Sequence, residues 1–101
     1  MTEGFLLKDG TFVYIKIKRK DISRANNTEL HYRYTAEVKA NHRVVTVPYH
    51  DYSTAFYHKG TLNRRGFLKA VKRIMRDERI LKVLTLAQMF EIVDGIEKQG
   101  V

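Results

Sequence analysis

Two runs that alternate with a period of two, FVYIKIKRK from Phe12 to Lys20 and HYRYTAEVK from His31 to Lys39, constrain this chain more than anything else in it. Successive side chains of a strand point to opposite faces, so each run reads as a strand that is apolar on one side and wet on the other. In the first, Val13, Ile15 and Ile17 make the apolar face, and Phe12, Tyr14, Lys16, Lys18 and Lys20 the other. In the second, Tyr32, Tyr34, Ala36 and Val38 oppose His31, Arg33, Thr35, Glu37 and Lys39. Sheets with one solvated face are antiparallel as a rule, because parallel sheets are covered on both faces.

The flanking segments supply partners for these strands. Phe5 to Lys8 precedes Asp9-Gly10, a dipeptide that favours positive φ at both positions of a two-residue hairpin turn. Asp21 to Leu30 is rich in turn formers and reads as an exposed loop. Ala40-Asn41-His42 can reverse the chain into a fourth strand from Arg43 to Val47, ended by Pro48, which has no N–H to give a ladder. Within Tyr49 to Gly60, STAFYHK fits either a fifth, edge strand or a structured loop.

The pattern then changes to a helical one. From Thr61 or Asn63 as N-cap, a helix is predicted to about Asp77, with Phe67, Leu68, Val71, Ile74 and Met75 on one arc and Arg65, Lys69, Lys72, Arg73 and Arg76 on the opposite arc. Thr85-Leu86-Ala87-Gln88 is a capping box that opens a second helix, with Leu86, Met89, Phe90, Ile92, Val93 and Ile96 as its apolar arc and Gly100 as its stop. Strands followed by helices imply an α+β fold: an antiparallel sheet of four or five strands with both C-terminal helices packed on one face. A length of 101 residues suits one domain covering the whole sequence.

Composition narrows the function. With no cysteine there is no thiolate metal site, redox motif or disulfide framework, which fits a cytoplasmic location. The first residues lack the basic and apolar regions of a signal peptide, and no run approaches the ~18 apolar residues of a membrane span, so no membrane partner is expected. Nineteen Lys and Arg against eleven Asp and Glu give a formal charge of +8, which favours anionic partners. The excess is local: Arg64 to Lys82 holds eight basic and two acidic residues, and Val83 to Val101 one and three.

Two basic surfaces are therefore candidates. The first is the helical arc of Arg65, Lys69, Lys72, Arg73 and Arg76, where like charges repel and Arg64 and Arg65 oppose the helix dipole, conflicts that a bound phosphate chain would relieve. The second is the strand face of Lys16, Lys18, Lys20, Tyr14 and Arg33, since alternate strand residues stand about 6.7 Å apart and can follow a phosphodiester backbone while aromatic rings stack bases. Surface lysines on strands also serve simply to discourage sheet pairing. With the helix packed on the sheet, the two surfaces fall on opposite sides.

The expectation is a non-enzymatic protein, without cofactor or metal, that binds DNA or RNA mainly through phosphates. One alternative is an adaptor or inhibitor that sets its basic surface on an acidic protein or nucleoprotein, a form frequent among phage- or plasmid-encoded counter-defence proteins. Another is a small metal-independent ribonuclease using His50, Asp51, Tyr52 and His58 as acid and base, although their spacing matches no metal or catalytic motif. A homodimer through a bare sheet edge or an aromatic strand face is compatible with all three.

Overall fold

The computed structural model describes residues 2–21, 32–51, 57–58 and 61–101, with side chains described for 2–18, 34–48 and 63–101. Strands β1 (Thr2–Leu6), β2 (Phe12–Asp21), β3 (Tyr32–Ala40) and β4 (Arg43–Asp51) form one antiparallel sheet in the order β1-β2-β3-β4. A two-stranded ribbon follows, β5 (Tyr57–His58) with β6 (Thr61–Leu62). Helix α1 (Arg64–Ile74), a 3-10 segment (Glu78–Lys82) and helix α2 (Leu86–Lys98) complete an α+β fold. The tail of STAFYHK is thus a strand that pairs with β6 and not with the main sheet. The 22–31 segment and the side chains of His50, Asp51, Tyr52 and His58 lie outside the described residues.

The two hairpin turns solve the same problem differently. Asn41 and His42 have φ of 52° and 61°, the two left-handed residues of a type I′ turn, whose twist matches that of the strands it joins. At Asp9-Gly10 only Gly10 is left-handed, at φ 87°. The Gly10 N–H donates to the Leu7 carbonyl at 3.0 Å and the Leu7 N–H to the Thr11 carbonyl at 2.9 Å, so the loop is the three-residue type with a bulge, one residue longer than the dipeptide implied. Asp9 keeps a normal backbone because its carboxylate accepts the Thr11 N–H at 2.8 Å.

Strand β4 runs through Pro48 to Asp51, three residues beyond the stop expected there. Counted from the two-residue turn, the pair Thr35–Pro48 is one of those that exchange no ladder hydrogen bonds, so the proline nitrogen faces the outer side of an edge strand. The missing N–H therefore costs the ladder nothing.

One face of the sheet is the core. Val13, Ile15 and Ile17 of β2, Tyr34, Ala36, Val38 and Ala40 of β3, and Val45 and Val47 of β4 are buried with Phe67, Leu68, Val71 and Ile74 of α1 and Met89, Ile92 and Ile96 of α2 in a single cluster. The small Ala36 sits between Ile17 and Val47 across the strands, leaving space above β3 for helix side chains. Truncating one of these fully buried groups typically costs about 2–5 kcal/mol, a large part of the total stability of a domain this size.

Both helices are capped by their own side chains. Asn63 accepts the Gly66 N–H at 2.7 Å. Thr85 accepts the Gln88 N–H at 3.2 Å while the Gln88 amide oxygen accepts the Thr85 N–H at 2.9 Å, the reciprocal pair that the sequence predicts. Helix α1 stops at Ile74, short of Asp77, because the Asp77 backbone is extended and its carboxylate caps the 3-10 segment through the Arg79 N–H at 2.9 Å. On α2 the buried arc is narrower than predicted: Leu86 and Phe90 are exposed, and Val93 is only partly covered.

Long-range polar contacts lock α2 under the β1–β2 turn. The Gln88 amide nitrogen donates to the Asp9 carboxylate at 2.8 Å and to the Thr11 hydroxyl at 3.2 Å, and the Lys8 N–H donates to Glu91 at 3.0 Å. These bonds, first the one from the Thr11 backbone and then the one from Gln88, hold the Asp9 carboxyl below its ordinary value. No helix among the described residues is long and apolar enough to cross a membrane.

Candidate nucleic-acid interface

Opposite the core, the sheet presents an uncovered face whose rows follow from the register. Leu6 pairs with Phe12; Gly4, Tyr14, Lys39 and Val44 form the next row; Thr2, Lys16, Glu37 and Thr46 the third; Lys18, Thr35 and Pro48 the fourth. Rows stand about 6.7 Å apart. Leu6, Phe12, Tyr14 and Val44 are large apolar residues left in water at the turn end. Lys39 stands between Tyr14 and Val44, and Lys16 and Lys18 follow along β2.

The Phe12 and Tyr14 rings have centroids 6.5 Å apart and are tilted by 34°. Beside them a groove of about 690 Å³ is lined by Phe12, Tyr14, Lys16, Glu37, Lys39 and His42. Lys16 and Lys39 are exposed and have no ion-pair partner among the described residues. Lys18 differs: its ammonium lies 3.4 Å from Glu37, which neutralises the middle of the lysine row. Lys20 and Arg33 face each other in register one row further on, and their side chains lie outside the described residues.

The second basic surface is on the far side of the helical layer. Because Phe67, Leu68, Val71 and Ile74 face the sheet, the opposite arc of α1 points away from it, carrying exposed Arg65, Lys69 and Arg73, with Arg76 just beyond the helix. Lys72 does not belong to this exposed set. It is half-buried against α2, with its ammonium 3.5 Å from Glu97 and donating to the Val101 carbonyl at 3.0 Å. Arg64 stays exposed but is engaged, 3.1 Å from Glu3 on β1 and 3.1 Å from Gln99, which relieves part of the charge conflict at the helix N-terminus. What remains exposed is a patch of cations, and no aromatic ring among the described side chains stands within it.

The structure thus brings Tyr14, Lys16 and Lys18 together on one face, and Arg65, Lys69, Arg73 and Arg76 on another, while Lys72 is drawn into a helix–helix contact. Reading the sequence missed Leu6, Gly4, Val44 and the Asn41-His42 turn as neighbours of Tyr14. Only the cross-strand register reveals them, and no single strand contains that signal. No group of three metal-ligating side chains is assembled among the described residues. No protein-family model, curated protein or solved structure matches the chain.

Proposed function

We propose that this chain is a non-enzymatic nucleic-acid-binding domain that works through the open face of its sheet, with the exposed arc of α1 as a subsidiary phosphate contact. The observation that carries this reading is the row of exposed Phe12 and Tyr14 running directly into Lys16 beside Lys39. Planes for bases and cations for phosphates stand next to each other at strand spacing, which is how sheets bind nucleic acid with little base discrimination. Among the described residues the α1 arc offers charge alone.

Affinity drawn from phosphate contacts releases counterions, so log K falls linearly with log salt, by about 0.7 per phosphate for a single strand. Fluorescence anisotropy with labelled single- and double-stranded DNA and RNA tests the reading. Micromolar binding at low salt that weakens steeply with added salt is expected, and no binding to any of the four ligands rejects it.

A protein partner is favoured by one observation, the exposed Leu6 and Val44 that border the rings: Leu6 is 73% exposed. An acidic protein or nucleoprotein surface would suit that fringe and the lysines together. Retention of a partner from lysate after nuclease treatment supports this second reading; loss of every partner supports the first.

A further inference from the structure

We propose that the groove at the turn end of the open face takes an unpaired base stacked on the Phe12 ring, so that the ligand is a single strand, and that Gly4 is the residue that positions the ring. The inference rests on the nucleic-acid reading above and names its ligand class.

Phe12 is 56% exposed on a face that has no hydrophobic layer of its own. The ring nevertheless lies over Gly4. A Cβ on Gly4 would overlap the Phe12 Cζ and stand 3.0 and 3.1 Å from the two ε carbons, about as close as atoms come. The far end of the ring therefore occupies the space where β1 would otherwise carry a side chain. Gly4 pairs with Tyr14, one row from the Leu6–Phe12 pair, so the ring leans diagonally across the strand boundary. Any larger residue at this position would push the ring off its place. Room over Gly4 lets the ring lie against β1 before a base arrives, and a plane placed in advance loses less freedom on binding than a mobile one.

The groove beside it discriminates between the parts of a nucleotide. Glu37, paired with Lys18, is in its lining; a carboxylate is no phosphate site, whereas it accepts hydrogen bonds from the N–H groups that every unpaired base exposes. Lys16 and Lys39 flank that carboxylate and supply the phosphate contacts. A base can reach the Phe12 plane only if it is unstacked and unpaired, which duplexes do not allow without being opened. Stacking accepts every base, so the preference is for single strands and not for sequence.

The test is anisotropy with a labelled oligothymidylate and a duplex of matched charge, using wild type, Phe12→Ala, Phe12→Trp, Gly4→Ala and a Lys16→Ser/Lys39→Ser double variant, each first checked for an unchanged unfolding midpoint. Wild type should prefer the single strand, and Phe12→Ala should lose on the order of tenfold in affinity for it. Phe12→Trp should retain binding, with its fluorescence quenched as the oligonucleotide is added. Gly4→Ala should weaken single-strand binding without changing the salt slope. Unchanged affinity in Phe12→Ala, absence of quenching, or preference for the duplex overturns the stacked base, and unchanged affinity in Gly4→Ala overturns the positioning role. If Phe12→Ala is neutral while Lys16→Ser/Lys39→Ser weakens binding, this inference falls and the phosphate reading stands. If no variant and no wild type binds, both fall.

Discussion

The open sheet face and the outer arc of α1 are both cationic, and they differ in what surrounds the charge. On the sheet, the β2–β3 register sets Tyr14 beside Lys39 and Lys16 beside Glu37, so rings, cations and one carboxylate share a groove. On the helix, two of the cations nearest to neighbouring elements, Arg64 and Lys72, are engaged by Glu3, Gln99 and Glu97. Arg65, Lys69, Arg73 and Arg76 are exposed on the outer side of the helical layer. Positive charge by itself is thus a weak pointer to a site; charge adjoining a plane that could be buried and is not is a stronger one.

The sharpest way to break this comparison uses the two sides of one strand. Ile15→Ala should lower the unfolding free energy by about 2–5 kcal/mol, since Ile15 is fully buried, and Lys16→Ser beside it should stay within about 0.5 kcal/mol. Urea unfolding measures both, and comparable losses would mean that the open face is structural. Binding comes next. Lys16→Ser/Lys39→Ser should reduce the magnitude of the log K against log salt slope by about 1.4 for a single strand, and Arg65→Ser/Lys69→Ser/Arg76→Ser should change it less. The reverse order would move the site to α1.

Smaller effects sharpen how α2 is held beneath the sheet. Thr85→Ala removes an N-cap and should cost about 1 kcal/mol, read as a lowered unfolding midpoint with binding unchanged. The smallest effect is in the pH dependence. The Asp9 carboxyl is held below its ordinary value by Thr11 and Gln88, so its contribution to stability is complete above the ordinary carboxylate range and disappears as pH falls through its lowered folded value. An NMR titration of the Thr11 amide should show its midpoint below that of an unperturbed aspartate, and Gln88→Ala should move the midpoint upward.

Much of the architecture is legible in local pattern. Val13, Ile15 and Ile17 announce a buried strand face, and Thr85 with Gln88 announces the start of α2, because both signals are made by residues within a few positions of each other. What local pattern misses depends on partners far along the chain. Leu86 and Phe90 share the apolar side of α2 but lie beyond the arc that reaches the sheet. Pro48 reads as a stop until β4 is known to be an edge strand. Lys72 belongs by angle to a cationic arc and is redirected by Glu97, twenty-five positions on. The candidate site is the least legible part, since Gly4 matters only through a ring eight residues away on another strand.

The nearest-neighbour order of the sheet also has a kinetic consequence. Every pair in β1-β2-β3-β4 is consecutive in sequence, and β3 and β4 are joined by only the two residues of the Asn41-His42 turn. Asp21 and Tyr32, which close the β2–β3 pairing, are separated by a much longer stretch of chain. Closing a short loop sacrifices less entropy, so the β3–β4 hairpin is the natural nucleus, with β2 joining it afterwards. The bonds from Gln88 back to Asp9 and Thr11 span nearly the full sequence and should form last. Mutations in the tight turn should slow folding, and mutations at Gln88 should chiefly speed unfolding.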